Sequence, residues 1–270
     1  MMFIKTLESA QEENQSLVCV GLDPNQEKIA ALDITLIDWL KQIVDATAEH
    51  VCAFKPQIAY FAAMRAELEL TEIIQYIHRK HPRIPVILDA KRGDIGSTAD
   101  QYAKEAFERY QADAVTVNPY MGGDTIEPYT RYQNKGVVVL CKTSNAGSGE
   151  LQNLKLNNGQ TLFQTVAQHA TEKWNTNHNI LLVVGATYPE ELAQIRQTVG
   201  DMPLLIPGIG AQGGDVKATL NAGLRSDGRG LIISSSRGII YAGNNKSDFV
   251  HAAQQACLKL KNTINSYRDL

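Results

Sequence analysis

The chain has 270 residues, 44% of them apolar and 20% charged, which is material for a sizeable core and excludes an intrinsically disordered protein. A formal net charge of −3 provides no global basic field, so nucleic acid or an anionic membrane would need a local patch that the sequence lacks, and small-molecule chemistry is the expectation. No stretch approaches the ~20 apolar residues of a membrane span, and the N-terminal MMFIKTLESAQEENQ lacks the apolar core of a secretion signal. A cytoplasmic protein is expected. The four cysteines, Cys19, Cys52, Cys141 and Cys257, form no CxxC or Cys/His cluster of zinc-binding spacing, and are read as reduced, buried thiols.

In chain order, the first Val/Ile-rich run is Leu17–Leu22, closed by Asp23-Pro24. The second, Val51–Phe54, is closed by Lys55-Pro56, and 3-to-4 apolar spacing through Thr71-Glu72-Ile73-Ile74 to Ile77 predicts a helix after it. A third run, Ile84–Leu88, leads into Asp89-Ala90-Lys91-Arg92-Gly93-Asp94, and a fourth, Ala114–Val117, ends at Asn118, to which no role is assigned. After Val137–Cys141 a Gly/Asn-rich stretch, residues 147–160, reads as a long loop, either a lid or surface decoration. Ile180–Val184 precedes a helix opening at Pro189-Glu190-Glu191, Leu204–Ile206 precedes the glycine-rich Pro207–Asp215, and Leu231–Ile233 precedes Ser234-Ser235-Ser236-Arg237-Gly238. A closing helix is predicted over Phe249–Ile264. Continuous rather than alternating hydrophobicity marks these eight runs as parallel strands covered on both faces. Each interval suits a helical crossover, and no linker or repeat interrupts them. One α/β domain over residues 1–270 is expected, an eight-stranded (β/α)8 TIM barrel, which typically takes about 250 residues; a doubly wound open sheet is the competing arrangement.

Barrel enzymes draw their catalytic groups from the C-terminal ends of strands. Here three successive ends supply Asp23, Lys55, and Asp89 with Lys91 and Asp94. Strand periodicity puts Asp89 and Lys91 on one face with Ala90 turned away, and Lys55 on the adjacent strand can join them. A salt-bridge cluster filling the top of the barrel is the bland alternative for any one of these residues; together they point to a site, because burying charge without a task is unfavourable. Across the mouth, the glycines of the seventh loop allow close backbone approach to an anion, and Arg237 after strand eight offers a forked pair of hydrogen bonds. Loops seven and eight are the usual phosphate site of this architecture.

Asp89-Ala90-Lys91-Arg92-Gly93-Asp94-Ile95-Gly96-Ser97-Thr98 resembles the DxKxxDI signature of the orotidine 5′-monophosphate decarboxylase family, and its KRGDIGST wording resembles that family's longer bacterial branch. Phe54-Lys55-Pro56-Gln57, the Pro207–Asp215 loop and Ser236-Arg237-Gly238 resemble its other motifs in the same order, so the likeness spans the chain. The resemblance implies decarboxylation of orotidine 5′-monophosphate to UMP, the last step of pyrimidine biosynthesis, with no cofactor and no metal. It implies that Asp89, Lys91 and Asp94 of a partner chain form the charged array of a homodimer. It further implies that Asp23 and Lys55 contact the ribose and Ser144 the pyrimidine, that Gln212 and Arg237 hold the phosphate, and that Thr98, Gly210 and Gly238 also bind substrate.

Loss of CO2 from the orotate ring leaves a carbanion at C6 with no electron sink, so a cofactor-free enzyme must stabilise it electrostatically. An ammonium set between carboxylates is favoured in its charged form, and so can attract the carbanion and then protonate it. A Schiff-base aldolase is one rival; it needs a readily deprotonated lysine, whereas Lys91 has flanking carboxylates, and the sixth strand end, Val184-Gly185-Ala186, has none. A metal-dependent sugar-phosphate lyase of the same barrel group resembles this chain in DxKxxD, but carries an acidic residue where this chain has Lys55. A catalytically silent phosphate-binding module is the third reading, and intact Lys55, Asp89, Lys91 and Asp94 argue against it.

Overall fold

The computed structural model describes residues 2–209, 215–243 and 245–268. Eight strands form one sheet: β1 (Val18–Leu22), β2 (Ala53–Pro56), β3 (Ile87–Arg92), β4 (Ala114–Val117), β5 (Gly136–Lys142), β6 (Ile180–Val184), β7 (Leu204–Pro207) and β8 (Leu231–Ser235). Their order is β2-β1-β8-β7-β6-β5-β4-β3, every laddered pair is parallel, and helices lie between successive strands. The two end strands meet through the bridges Phe54↔Val86 and Gln57↔Asp89, with the Phe54 amide donating to the Pro85 carbonyl at 3.1 Å. This contact closes the sheet into a barrel and removes the open-sheet alternative.

Both faces of the strands are covered, as continuous hydrophobicity requires. On β4, Ala114 belongs to the cluster inside the barrel, together with Cys19, Ile87, Val138, Leu181, Leu205 and Ile232. The alternate residues Val115 and Val117 join the outer layer, where the barrel meets Trp39, Ile43, Ile73, Leu192 and Phe249. Phe3 and Leu7 of the N-terminal helix Phe3–Glu13 belong to the inner cluster and plug the lower end. Gly136 reflects this plug, since a Cβ there would stand 2.5 Å from Phe3 Cδ1 and 2.8 Å from Ala114 Cβ. All four cysteines are free and buried, and burial pushes the Cys19 and Cys257 thiols up to about 12.

Toward the upper end the buried residues of the strands become polar: Lys55, Asp89, Thr116 and Ser234. The helices bear out their sequence signals. Glu67–Lys80 buries Leu70, Ile73, Ile74 and Ile77 and carries Glu67 and Glu69 in its first turn; Pro189–Val199 begins with its proline and two glutamates; Phe249–Asn265 closes the chain. The stretch 147–160 is more ordered than a plain loop. It includes a helical turn at Gly149–Gln152 and a bridge from Lys155 to Thr161, and the Gln152 side chain bonds both the amide and the hydroxyl of Thr143, at 2.9 Å each.

Candidate active site

The charged array is assembled at the mouth. Asp89 and Lys55 are each only 7% exposed, and Lys55 Nζ donates to Asp89 Oδ2 at 2.8 Å. Lys91 Nζ donates to the other oxygen, Oδ1, at 2.7 Å, while its side chain is 47% exposed. Burial alone would raise the Asp89 carboxyl; the ammonium groups of Lys55 and Lys91 outweigh it and hold the group well below the usual carboxylate range. Burial would likewise lower Lys55, but Asp89 and then Asp23 reverse the effect and hold it above the usual lysine range. The three groups therefore form a buried carboxylate bracketed by two cations, one deep and one facing the opening.

The meeting of Asp89 and Lys91 is as expected, but regular pleating does not produce it. β3 pairs with β4 at Leu88↔Val115 and next at Arg92↔Val117, with a register shift between. Three residues of β3, Asp89 to Lys91, thus face the single residue Thr116. Lys91 adopts φ 45°, a left-handed conformation that costs roughly 1–2 kcal/mol for a residue with a Cβ. The bulge, rather than strand alternation, aims Lys91 at its neighbour's carboxylate.

Asp23 follows β1, and its Oδ2 accepts from Ser236 Oγ. Its Oδ1 is buried without a hydrogen-bond partner among the described residues. Tyr241 ties this turn to the segment after β8: its hydroxyl donates to the Asp23 carbonyl at 2.9 Å and accepts from the Asn25 amide at 2.6 Å. Arg237 opens the short helix Arg237–Ile240; it and Gly238 are exposed at the mouth, and Arg237 has no ion-pair partner among the described residues. Gly210 and Gln212 lie outside the described residues. Ser144 follows β5, half-buried, with its backbone so close to Gly185 that a Cβ there would meet Ser144 N at 2.8 Å. Asp94 lies beyond the end of β3; its Oδ1 accepts from the Ile95 amide at 2.8 Å, and among the described residues it makes no hydrogen bond to Lys91 of its own chain. Thr98 sits exposed in the first turn of the helix Gly96–Lys104.

The sequence profile of the orotidine 5′-phosphate decarboxylase / HUMPS family matches residues 16–250. This chain belongs to that family. It is 57% identical to the orotidine 5′-phosphate decarboxylase of Cupriavidus metallidurans over 99% of each chain, and 56% identical to that of Cellvibrio japonicus over 99% of this chain and 100% of the other. The solved structure of Leishmania donovani OMP decarboxylase superposes with a TM-score of 0.87 at 41% identity, with both chains covered completely. A Methanocaldococcus jannaschii structure, at 23% identity and a TM-score of 0.70, shares the barrel fold. Full-length relatives of this identity make the chain an orotidine 5′-phosphate decarboxylase, a carboxy-lyase.

Two residues of this decarboxylase escaped sequence reasoning. Thr116, 1% exposed, accepts from the amides of Ala90 and Lys91 and donates to Asp89 Oδ1, each at 2.9 Å. The available signal was a hydroxyl two residues after Ala114, on the inward face of an otherwise apolar strand. Lys142, also 1% exposed, donates to Ser148 Oγ at 3.1 Å and lies 3.5 Å from Glu191 Oε2. It fastens the segment after β5 to the helix Pro189–Val199. Asn118, left without a role, caps the turn Pro119–Met121 by accepting from the Tyr120 amide at 3.0 Å.

Proposed function

We propose that this decarboxylase acts as a cofactor-independent, single-domain barrel, with Lys91 as the group that both stabilises and protonates the C6 carbanion of orotidine 5′-monophosphate. The observation that carries the reading is the Lys55–Asp89–Lys91 array at the upper end of the barrel. The C6–carboxylate bond breaks, CO2 leaves with no net charge, and the electron pair stays on C6. A proton then passes from Lys91 Nζ to C6, giving UMP and a neutral amine that regains its proton from water.

Magnitudes favour Lys91 over repulsion from Asp89. A bare carboxylate ~4 Å from the substrate carboxylate at an effective dielectric of ~20 would contribute about 4 kcal/mol, roughly a thousandfold in rate. Asp89 is not bare: two ammonium groups and a hydroxyl already bond its oxygens, which reduces that repulsion. In this assignment Asp23 and Lys55 hold the ribose, Ser144 the pyrimidine, and Gln212 and Arg237 the phosphate; Thr98, Gly210 and Gly238 are further substrate contacts. Phosphate binding far from C6 supplies energy for closing the site around the ring.

The enzyme is proposed to work as a homodimer in which Asp94 completes the partner's array, a reading supported by its place beyond the strand end and its lack of a bond to Lys91 in its own chain. Four buried free thiols suit a reducing cytoplasm, and among the described residues no helix is long and apolar enough to cross a membrane.

Purified protein given orotidine 5′-monophosphate after exhaustive chelation is expected to remove the substrate's pyrimidine absorbance at an undiminished rate. The metal-dependent lyase reading predicts loss on chelation and recovery with magnesium. Lys55 weighs against that reading, because it sets an ammonium rather than a second carboxylate against Asp89.

A further inference from the structure

We infer that Thr116 is a positioning residue for the reaction, its hydroxyl fixing the β3 bulge so that the Lys91 ammonium is held where the carbanion forms. The inference rests on the role proposed above for Lys91.

The irregular pairing between Leu88↔Val115 and Arg92↔Val117 leaves a kink that the ladder does not span. Thr116 Oγ1 takes both the Ala90 and the Lys91 amides there, at 2.9 Å each, and gives its own proton to Asp89 Oδ1 at 2.9 Å. A hydroxyl has one donor and two acceptor sites, so this one is saturated. It has nothing left to offer a substrate, and its effect must pass through its neighbours. Those neighbours are the backbone of Lys91, held at φ 45°, and the same carboxylate oxygen that receives Lys91 Nζ. One buried atom thus sets both the origin of the Lys91 side chain and the anchor of its far end.

Losing the hydroxyl would leave two amides without their acceptor and Asp89 Oδ1 without one of its donors. The bulge would relax toward regular pairing and carry Lys91 with it. Displacements of about 1 Å at a reacting group can lower rates on the order of 100-fold. Binding would change little, because ribose and phosphate are held by other elements.

The test compares Thr116→Val, which keeps the shape and removes the hydroxyl, with Thr116→Ser, which keeps the hydroxyl. Steady-state kinetics with orotidine 5′-monophosphate should show kcat lowered about 100-fold for Thr116→Val with KM within about threefold of wild type, and kcat for Thr116→Ser within about fivefold. A Thr116→Val enzyme with wild-type kcat, or equal losses in both variants, overturns the inference. Should Thr116→Val fail to fold, Thr116→Cys replaces it, since it differs from Thr116→Ser in offering only a weak sulfur acceptor and a weak S–H donor. A substrate-free readout separates this inference from the decarboxylase mechanism: trace acetylation of Lys91 by acetic anhydride, followed by peptide mass spectrometry. Severalfold faster labelling in Thr116→Val, restored in Thr116→Ser, supports the positioning role even if Lys91 proves not to be the proton donor. Equal labelling rates in all three proteins overturn it.

Discussion

The two halves of the barrel mouth are built in opposite ways. On the β2–β4 side, Lys55, Asp89, Lys91 and Thr116 bond one another within the chain, and the buried members have partners before any ligand arrives. On the β5–β8 side, Arg237 and Gly238 stand exposed, and among the described residues Arg237 has no ion-pair partner. The first half is organised in advance, as electrostatic stabilisation of a short-lived charge requires. The second offers unspent hydrogen-bonding capacity, as capture of an anion requires. Chemistry and binding are therefore expected to fail separately.

The largest effect should follow from Lys91→Ala. Proton transfer typically contributes 10²–10⁴-fold, and a preorganised charge another 10²–10³-fold, so turnover should fall by at least about 10⁴. Circular dichroism and the thermal midpoint should stay near wild type, because the Lys91 side chain is half exposed. Turnover within tenfold of wild type would remove Lys91 from its assigned role.

Asp89→Asn should act on stability as well as rate. It leaves Lys55 buried beside a neutral amide, and breaking one side of a buried pair costs about 3–5 kcal/mol. The Asp89 carboxyl is depressed in the folded chain, so its contribution is complete above the unfolded value of about 3.9 and is lost as pH falls through the lower folded value. Lys55 is raised, so its contribution is complete below about 10.4 and is lost as pH rises through the higher folded value. The difference in thermal midpoint between wild type and Asp89→Asn should therefore be flat from about pH 5 to 10 and narrow outside that window. Narrowing already at pH 6 would contradict a carboxylate held by two ammonium groups.

Arg237→Ala tests the opposite half. Two charge-assisted hydrogen bonds, at about 1.5–3 kcal/mol each, place the expected loss of kcat/KM at roughly 10²-fold or more, appearing mainly as a higher KM. A substrate lacking the phosphate should barely sense the change. Equal losses on both substrates would show that Arg237 does not contact phosphate.

How much of this was legible in the sequence differs between elements for physical reasons. Ala114–Val117 and Ile180–Val184 coincide with their apolar runs because both faces are covered along their whole length. β2 and β3 begin and end later than their runs. At their upper ends the side chains turn to the mouth, so hydrophobicity stops where the charged residues begin although the strand continues through Lys55 and Lys91. Barrel closure depends on Phe54 meeting Val86, a contact between runs that no local pattern contains. The bulge is a property of two strands in register, which is why strand periodicity placed Asp89 beside Lys91 for the wrong reason and passed over Thr116. Lys142 reads as an ordinary strand-end lysine until Ser148 and Glu191 fold back onto it.

Asp94 belongs by chain to the preassembled half, yet among the described residues it makes no hydrogen bond to its own Lys91. If it completes a neighbouring site, a two-fold dimer combines one chain's Lys91 with the other chain's Asp94 in each site. Mixing inactive Lys91→Ala protein with inactive Asp94→Ala protein then yields heterodimers with one doubly damaged site and one intact site. Under random reassortment half the dimers are mixed and half their sites are intact, so activity should return to about one quarter of wild type. Native mass spectrometry would establish that exchange took place. Confirmed heterodimers without activity would mean that each chain supplies its own Asp94, and the charged half of the mouth would then be complete within a single subunit.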